Sequence, residues 1–326
     1  MSALFGKGIP KDSTVLIVDI QNASVGCALV RLSGGGPPKL FAETRAPLPL
    51  LHSVSAHALL KESDKALRHA LLQASTTAAR MRNHTKLSHM GTVGAAHVFV
   101  SPPWVTAQDK NGTLTWDTEP TMQKTALHAI HDTFGDIKTS FHTTGAALTH
   151  TTNLLFEQTP DILLCSIGGE VSELTLLQSG QRAAYATMPV GHHFVLRTLT
   201  THAGVSPHEA HSMLRLARTT HTETPGEEAL FAAAQHFAKI FTQVAGDMLE
   251  DSQVQGILVV GMEPVGEWAA QNLSMSDLGG LFSADTVVQA LHTHHVAPYL
   301  AAHASHPDLL FMAQALYIDS KNRVIH

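Results

Sequence analysis

The chain has 326 residues, 44% hydrophobic and 15% charged, with a formal net charge of −6; this composition suits a folded protein with two cored domains and excludes a disordered one. Lys and Arg total only 21 and form no basic stripe, which excludes an electrostatic nucleic-acid surface. There is no run of about 18 apolar residues to span a bilayer, and Lys7, Lys11 and Asp12 interrupt any apolar signal sequence.

Thr14-Val-Leu-Ile-Val-Asp19 reads as an apolar strand ending in an acid. Gln21, Asn22, Ala23 and Ser24 make a polar turn, Val25 to Leu32 a second strand, and Ser33 to Pro38 a Gly-Pro turn, so residues 14–45 hold two or three strands. Ala56 to Met81 is an amphipathic helix, with Leu60, Leu67, Leu71, Ala74, Ala78 and Met81 at helical spacing. After a polar connection over 83–94, a separate small unit is expected. It comprises a strand at Ala95 to Val100, a break at Ser101-Pro-Pro-Trp104, a turn and strand over 110–116, and a helix from Pro120 to Phe134. Packing at the edge of that unit is the simpler role for Pro102, Pro103 and Trp104, before partner binding.

The second half opens on two short apolar runs, Ile162 to Ile167 and Leu174 to Leu177, joined through Gly168-Gly169 and closed by Ser179-Gly180. The order repeats that of the N-terminus: strand, small polar turn, strand, Gly turn. Two such hairpins about 150 residues apart suggest internal duplication. Glycines at such a turn let free backbone N–H groups approach an anion, although a plain β-hairpin needs them too. Helices are expected at Phe194 to His202, Pro207 to Arg215 and, most strongly, Pro225 to Leu249, whose Leu230, Ala233, Phe237, Ile240, Phe241, Val244 and Met248 form a core stripe. Gly256 to Gly261 is a buried strand, Met262 to Gly266 a loop, and Glu267 to Leu273 a short helix. Asp285 to Leu300 is read as a helix broken by Pro298.

Cys27 and Cys165 both fall in buried strands, which favours free core thiols and a cytoplasmic setting. Histidine is abundant, at 23 residues, with clusters at His192-His193 and His292-Thr-His-His295. Structural zinc usually recruits cysteine, and neither cysteine is near these clusters in sequence, so scattered packing and surface histidines are the favoured reading. Their imidazoles make net charge rise as pH falls.

The succession of two hairpins and a strand-loop-helix resembles the actin-like ATPase superfamily, with its two phosphate hairpins and its adenosine-contacting element. Within it, the FtsA/PilM branch is the most similar. Met1 to Lys7 resembles PilM starts, and the missing C-terminal membrane helix points the same way, since Asn322 to His326 is too short for one. Ile167-Gly-Gly-Glu-Val-Ser-Glu-Leu-Thr-Leu176 is similar to the second phosphate hairpin, and Phe141 to Leu148 to the connecting helix before it. Met188-Pro-Val-Gly191 resembles the glycine turn after the hairpin, and Pro307 to Leu316 the closing helix. The resemblance implies an α/β, actin-like (ribonuclease H-like) two-domain fold with an inserted small α+β subdomain of the 1C type. The implied ranges are 1–83 with 141–185 and 305–326 for the first domain, 84–140 for the insertion and 186–304 for the second domain.

It also implies ATP and Mg²⁺ as ligands. Asp19 would hold Mg²⁺ through water, and Gln21, Asn22, Ser24, Ser166, Gly168, Gly169, Glu170, Gly261 and Gly266 would line the nucleotide. Several positions depart from the family pattern. Gln21 replaces a glycine, Ser166 replaces an acid, and Phe141, His142 and Thr143 stand where hydrolysing relatives carry an acid or amide. His211, Leu214 and Arg215 match the nucleoside-contacting helix poorly, and the adenosine loop keeps only Gly261 and Gly266. At most a weak ATPase is implied. The function implied is a PilM-type scaffold at the cytoplasmic face of the membrane, assembling a type IV pilus inner-membrane complex by binding a short cytoplasmic peptide of a membrane protein. A homo-oligomer or filament is a further option; nucleic acid and direct membrane insertion are not. The alternatives are an FtsA-like division protein and a nucleotide-free pseudo-ATPase scaffold. A sugar or acetate kinase ranks lower, since no carboxylate base stands in a matching loop, and a histidine-based metal enzyme ranks lowest.

Overall fold

The computed structural model describes residues 12–34, 36–51, 54–110, 113–156, 160–216, 225–249, 252–276, 278, 280–283, 285–304 and 306–324. The expected features at Met1 to Lys7, at Gly35, at the Asn111-Gly112 turn and at Ile325-His326 lie outside these residues.

Three strands, β1 (Asp12–Ile20), β2 (Ser24–Ser33) and β3 (Lys39–Pro47), form an antiparallel meander with Asp19 opposite Gly26. Helix α1 (Ala56–Arg82) starts where Ser55 accepts from the Ala58 N–H, a side-chain cap. β4 (Val93–Val100) returns parallel to β1. The chain then leaves the sheet as the hairpin β5 (Val105–Lys110) and β6 (Thr113–Thr118), followed by α2 (Pro120–Phe134). It re-enters as β7 (Lys138–Thr143), parallel to β4, and continues into α3 (Thr144–Leu155).

The second half repeats the plan. β8 (Ile162–Ile167), β9 (Ser172–Gln178) and β10 (Gln181–Met188) form a meander, followed by α4 (His192–Ala203), α5 (Pro207–Leu216) and α6 (Pro225–Leu249). β11 (Gly256–Gly261) lies parallel to β8, α7 (Val265–Met275) follows, and β12 (Val287–Ala290) lies parallel to β11. After α8 (Thr293–Val296) and the two-residue β13 (Ala301–Ala302), α9 (Leu309–Val324) closes the chain.

The strand orders are β13-β3-β2-β1-β4-β7 and β10-β9-β8-β11-β12. Each sheet is thus an antiparallel meander extended from its first strand by two parallel strands, which is the duplication expected from the two hairpins. The central strands read as continuous apolar runs because both faces are covered. Leu16, Val18 and Ile20 pack with Leu67 and Leu71 of α1, whereas Val15 and Ile17 pack with Phe311 and Met312 of α9. The layer of α9 and α3 is shared, since Ile162 and Leu164 of β8 and Leu258 and Val260 of β11 join the same cluster. On the far face of the second sheet, Leu163 and Cys165 pack with Phe237 and Phe241 of α6. Both cysteines are free and buried. Trp104 is buried beside the first sheet, the packing role expected for it.

Strand pairing draws the halves differently from the ranges expected. β8 pairs with β11 and carries β9 and β10 with it, so residues 162–188 sit on the second sheet, not with the N-terminal strands. Ala95 to Val100, expected inside the insertion, pairs with both β1 and β7 in the first sheet. Among the described residues of the expected insertion, β5 and β6 alone form a separate sheet. The segment 285–300 is not one helix: Val287–Ala290 pairs with β11, and only Thr293–Val296 is helical before a short 3₁₀ turn. Its β-branched Val-Val pair suits a strand edge, and Pro298 prevents a longer helix.

Candidate functional site

The turns after β1 and β8 lie at corresponding ends of the two sheets, and they touch. Asp19, the expected Mg²⁺ holder, is fully buried at the end of β1. Its Oδ1 accepts from the Gln21 amide at 2.7 Å and from the Gln314 amide of α9 at 2.6 Å, and its Oδ2 accepts from Arg45 of β3 at 2.8 Å. Gln21 also donates to Thr144 Oγ1, at the start of α3, at 3.0 Å. Arg45 is committed in turn. It donates to Asp308 at 2.6 Å and to Ser24 at 3.0 Å, and its guanidinium lies 4.8 Å over the Phe311 ring. The pKa of the Asp19 carboxyl is raised: burial pushes it up and outweighs the opposing pull of Arg45 and Gln21. Burial also works against the Arg45 charge, but Asp308 and Asp19 outweigh it and hold the guanidinium ionised.

This arrangement leaves no place for a hydrated divalent cation at Asp19. Both carboxylate oxygens are taken, and the group facing them is itself a cation. The residue that differs from the family glycine, Gln21, supplies one of the donors, so its side chain is part of the substitution and not a neutral loss.

Asn22 does the same at the anion position. Its side chain is fully buried. Oδ1 accepts from the backbone N–H groups of Gly169 and of Glu170, the latter at 2.8 Å. Nδ2 donates to the carbonyls of Pro102 and of Val171, the latter at 3.0 Å. The N–H groups expected to cradle a phosphate therefore already hold a carboxamide oxygen from the other hairpin, and Gly168 N–H bonds Ser172 Oγ at 3.3 Å. A Cβ on Gly169 would lie 2.6 Å from Ala23 Cβ and 2.7 Å from Asn22 O, and one on Gly191 would lie 2.5 Å from Gly168 O. Gly169 serves the contact between the hairpins, and Gly191 lets the start of α4 pack onto the second one. A valine at 169 would therefore disturb the fold itself.

Glu170 continues the contact outward. It takes Arg197 in a bidentate pair at 2.8 and 2.7 Å and His193 Nδ1 at 2.9 Å. Burial alone would raise its pKa, but the bonds and charge of His193 and Arg197 hold it at about 2. Ser166, where the family carries an acid, is half-buried in β8 and pairs with Glu173 of β9. Glu173 is a carboxyl the sequence reading missed. It is fully buried, and burial raises its pKa to about 7 against the opposing pull of Tyr185 and Arg182. Strand alternation places it on the face of Ser166.

The strand-loop-helix at 256–275 is present, and Gly261 and Gly266 pack against each other, with a Cβ on either within 3.1 Å of the other's backbone. Met262 of the loop reaches Ser24 of the first hairpin, Sδ to Oγ 3.8 Å. A cavity of about 290 Å³ lies between this loop, the residues after β12 and the start of α9. Gly261, expected to line the nucleotide, is among its lining residues, with Met262, Glu263 and Asp308; the residues of the two hairpin turns are not. His211 lies beside His192, ring centroids 5.7 Å apart, and the His192 backbone N–H donates to the Gly168 carbonyl at 2.8 Å. Asp19, Gln21, Asn22, Ser24, Gly168, Gly169 and Glu170 are thus gathered in one closed network. Ser166, Gly261 and Gly266 flank it. Arg45, Thr144, Gln314 and Asp308 join it from distant sequence. Mg²⁺–ATP does not fit between these hairpins as they stand.

No protein-family model matches the chain, and no curated protein does. Solved structures do. A chain of the PilM-PilN type IV pilus biogenesis complex aligns with a TM-score of 0.61 at 14% identity, covering 95% of this chain and 98% of that one. The ethanolamine utilization protein EutJ from Carboxydothermus hydrogenoformans aligns with a TM-score of 0.51 at 14% identity, covering 95% of this chain and 92% of that one. With its doubled sheets, its paired hairpins and this end-to-end likeness, the chain has an actin-like two-domain fold of the PilM type.

Proposed function

We propose that this chain is a PilM-like scaffold that works without bound nucleotide, docking a short cytoplasmic segment of a membrane protein at the inner face of the membrane. The observation that carries the nucleotide-free reading is Asn22, whose Oδ1 occupies the Gly169 and Glu170 N–H groups. The Asp19–Arg45 pair supports it by meeting with protein groups the charge that Mg²⁺ would otherwise meet. The adaptor reading draws on the PilM-PilN complex, in which a chain of this fold is named together with a partner. Among the described residues no helix is long and apolar enough to cross a membrane, so attachment there would depend on such a partner. The small hairpin β5–β6 offers a supported surface for it. Trp116 of β6 meets Tyr185 of β10 edge-on, with ring centroids 4.5 Å apart, and Arg182 stacks 4.6 Å over Trp116.

Two measurements test the proposal. Millimolar ATP with Mg²⁺ should leave the melting temperature unchanged, whereas ligand at a hundredfold excess over its Kd would add about 2.7 kcal/mol of stability. A tagged chain should recover a membrane protein with a short cytoplasmic tail from detergent-solubilised membranes, and a synthetic peptide of that tail should bind the pure chain. A clear ATP-dependent rise in melting temperature would reject the nucleotide-free reading; a recovered partner whose tail peptide does not bind would reject the docking mode.

A further inference from the structure

We infer that Glu263, Glu267 and His292 form a binding site for a zinc-class divalent cation. The topology brings them together. β11 and β12 run parallel, with Val259 beside Ala290, so the residues following each strand emerge side by side. Glu263 stands in the loop after β11, Glu267 one turn on in α7, and His292 directly before α8. One ligand atom from each lies within 4.8 Å of the other two. His292 Nδ1 and Glu267 Oε1 are 3.4 Å apart. Two ligand atoms on one tetrahedral ion, with metal–N and metal–O distances near 2.1 Å, stand about 3.4 Å apart, so this pair already has the spacing an ion would impose. The third ligand, Glu263, is exposed, and a side-chain rotation can close the remaining gap.

The donor set favours zinc-class ions over Mg²⁺ or Ca²⁺, which prefer oxygen alone, because an imidazole is one of the three ligands. The histidine tract packs against that imidazole. The His292 backbone N–H donates to His295 Nδ1 at 3.1 Å, and the His294 ring stacks on His292 with centroids 5.3 Å apart and planes 15° from parallel. The His295 backbone N–H reaches the His292 carbonyl, at 3.1 Å, as well as the His292 ring, so it keeps an acceptor when an ion takes the ring nitrogen. Three protein ligands leave a fourth position open to water, beside the cavity of about 290 Å³ that Glu263 helps to line. The carboxylates come from a loop and a helix more than twenty residues before the histidine, which is why a search for cysteine near the histidine tract misses the site.

Titration calorimetry of the full chain with zinc chloride tests this, with Glu267→Gln and His292→Asn as variants. Asn keeps a good helix cap at 292 and Gln keeps the shape at 267, so both variants should melt with the parent. One ion per chain is expected for the parent, with affinity weakened at least tenfold in each variant. Cobalt substitution should give the visible bands of a tetrahedral site in the parent and lose them in both variants. Equal zinc affinity in parent and variants would place the ion on other histidines and overturn the inference, as would the absence of one-to-one binding.

Discussion

Replacing Asn22 by alanine is the sharpest test of the closed hairpins. The side chain satisfies four backbone groups at once: two N–H groups, of Gly169 and Glu170, and two carbonyls, of Pro102 and Val171. Each buried polar group left without a partner costs roughly 1–3 kcal/mol. Water entering the vacated volume would restore some of these bonds, since the site is polar. A net loss of about 3 kcal/mol follows, in the upper range for a single substitution. With roughly 2.1 cal/mol/K of unfolding entropy per residue, the 326-residue chain should melt about 4 °C lower. Scanning calorimetry at neutral pH measures this directly, with the exposed Asn83→Ala as a control that should shift by less than about 1 °C. If Asn22→Ala melts with the parent, the asparagine is not what holds the two hairpins together, and the argument that it stands in for a phosphate fails with it.

Two further predictions turn on pH. Glu170 has its ordinary value of 4.5 lowered to about 2 in the folded chain, so its partnership with His193 and Arg197 adds stability above pH 4.5 that is lost as pH falls toward 2. Glu170→Gln should destabilise the chain at neutral pH by roughly 2 kcal/mol and flatten the acid limb of its stability profile, as urea unfolding across that range would show; an unchanged acid limb would contradict it. Glu173 is the opposite case. Its folded value is raised from 4.5 to about 7, so stability should fall as pH rises through that interval, when burial resists ionisation. Glu173→Gln should remove that fall and leave the chain relatively more stable at pH 8 than at pH 5, compared with the parent. Parallel urea midpoints for the two chains across this range would show that Glu173 ionises without cost.

Much of the fold was legible because it is written in local patterns. The limits of α2 and α6 follow from a proline at the first turn and an apolar stripe at helical spacing, both readable within one helix. The two hairpins and their duplication were visible as apolar runs broken by small polar turns, and the sheets repeat as that reading requires. The free, buried state of Cys27 and Cys165 followed from the same runs. The sequence also singled out Asp19, Asn22, Gly168 and Gly169, through the resemblance to the two phosphate hairpins, and in the structure Asn22 Oδ1 accepts from the Gly169 N–H.

Tertiary structure decided what those turns contact. Arg45, Thr144 and Gln314 reach Asp19 or its partner Gln21 from three different elements, the last from 295 residues away, and no local pattern marks any of them as a partner. The same holds for Asn22: its type suggests a turn, but only the approach of the second hairpin makes its carboxamide the acceptor for Gly169 and Glu170. Strand membership was misread for the same reason. β8 and β12 (residues 162–167 and 287–290) join one sheet through pairing with β11, and the energy of pairing depends on a neighbour whose identity is fixed by chain topology. Local sequence specified the elements and the chemistry each carries; whether the glycine N–H groups face a phosphate or an asparagine was settled by which side chain packing brought within hydrogen-bond reach.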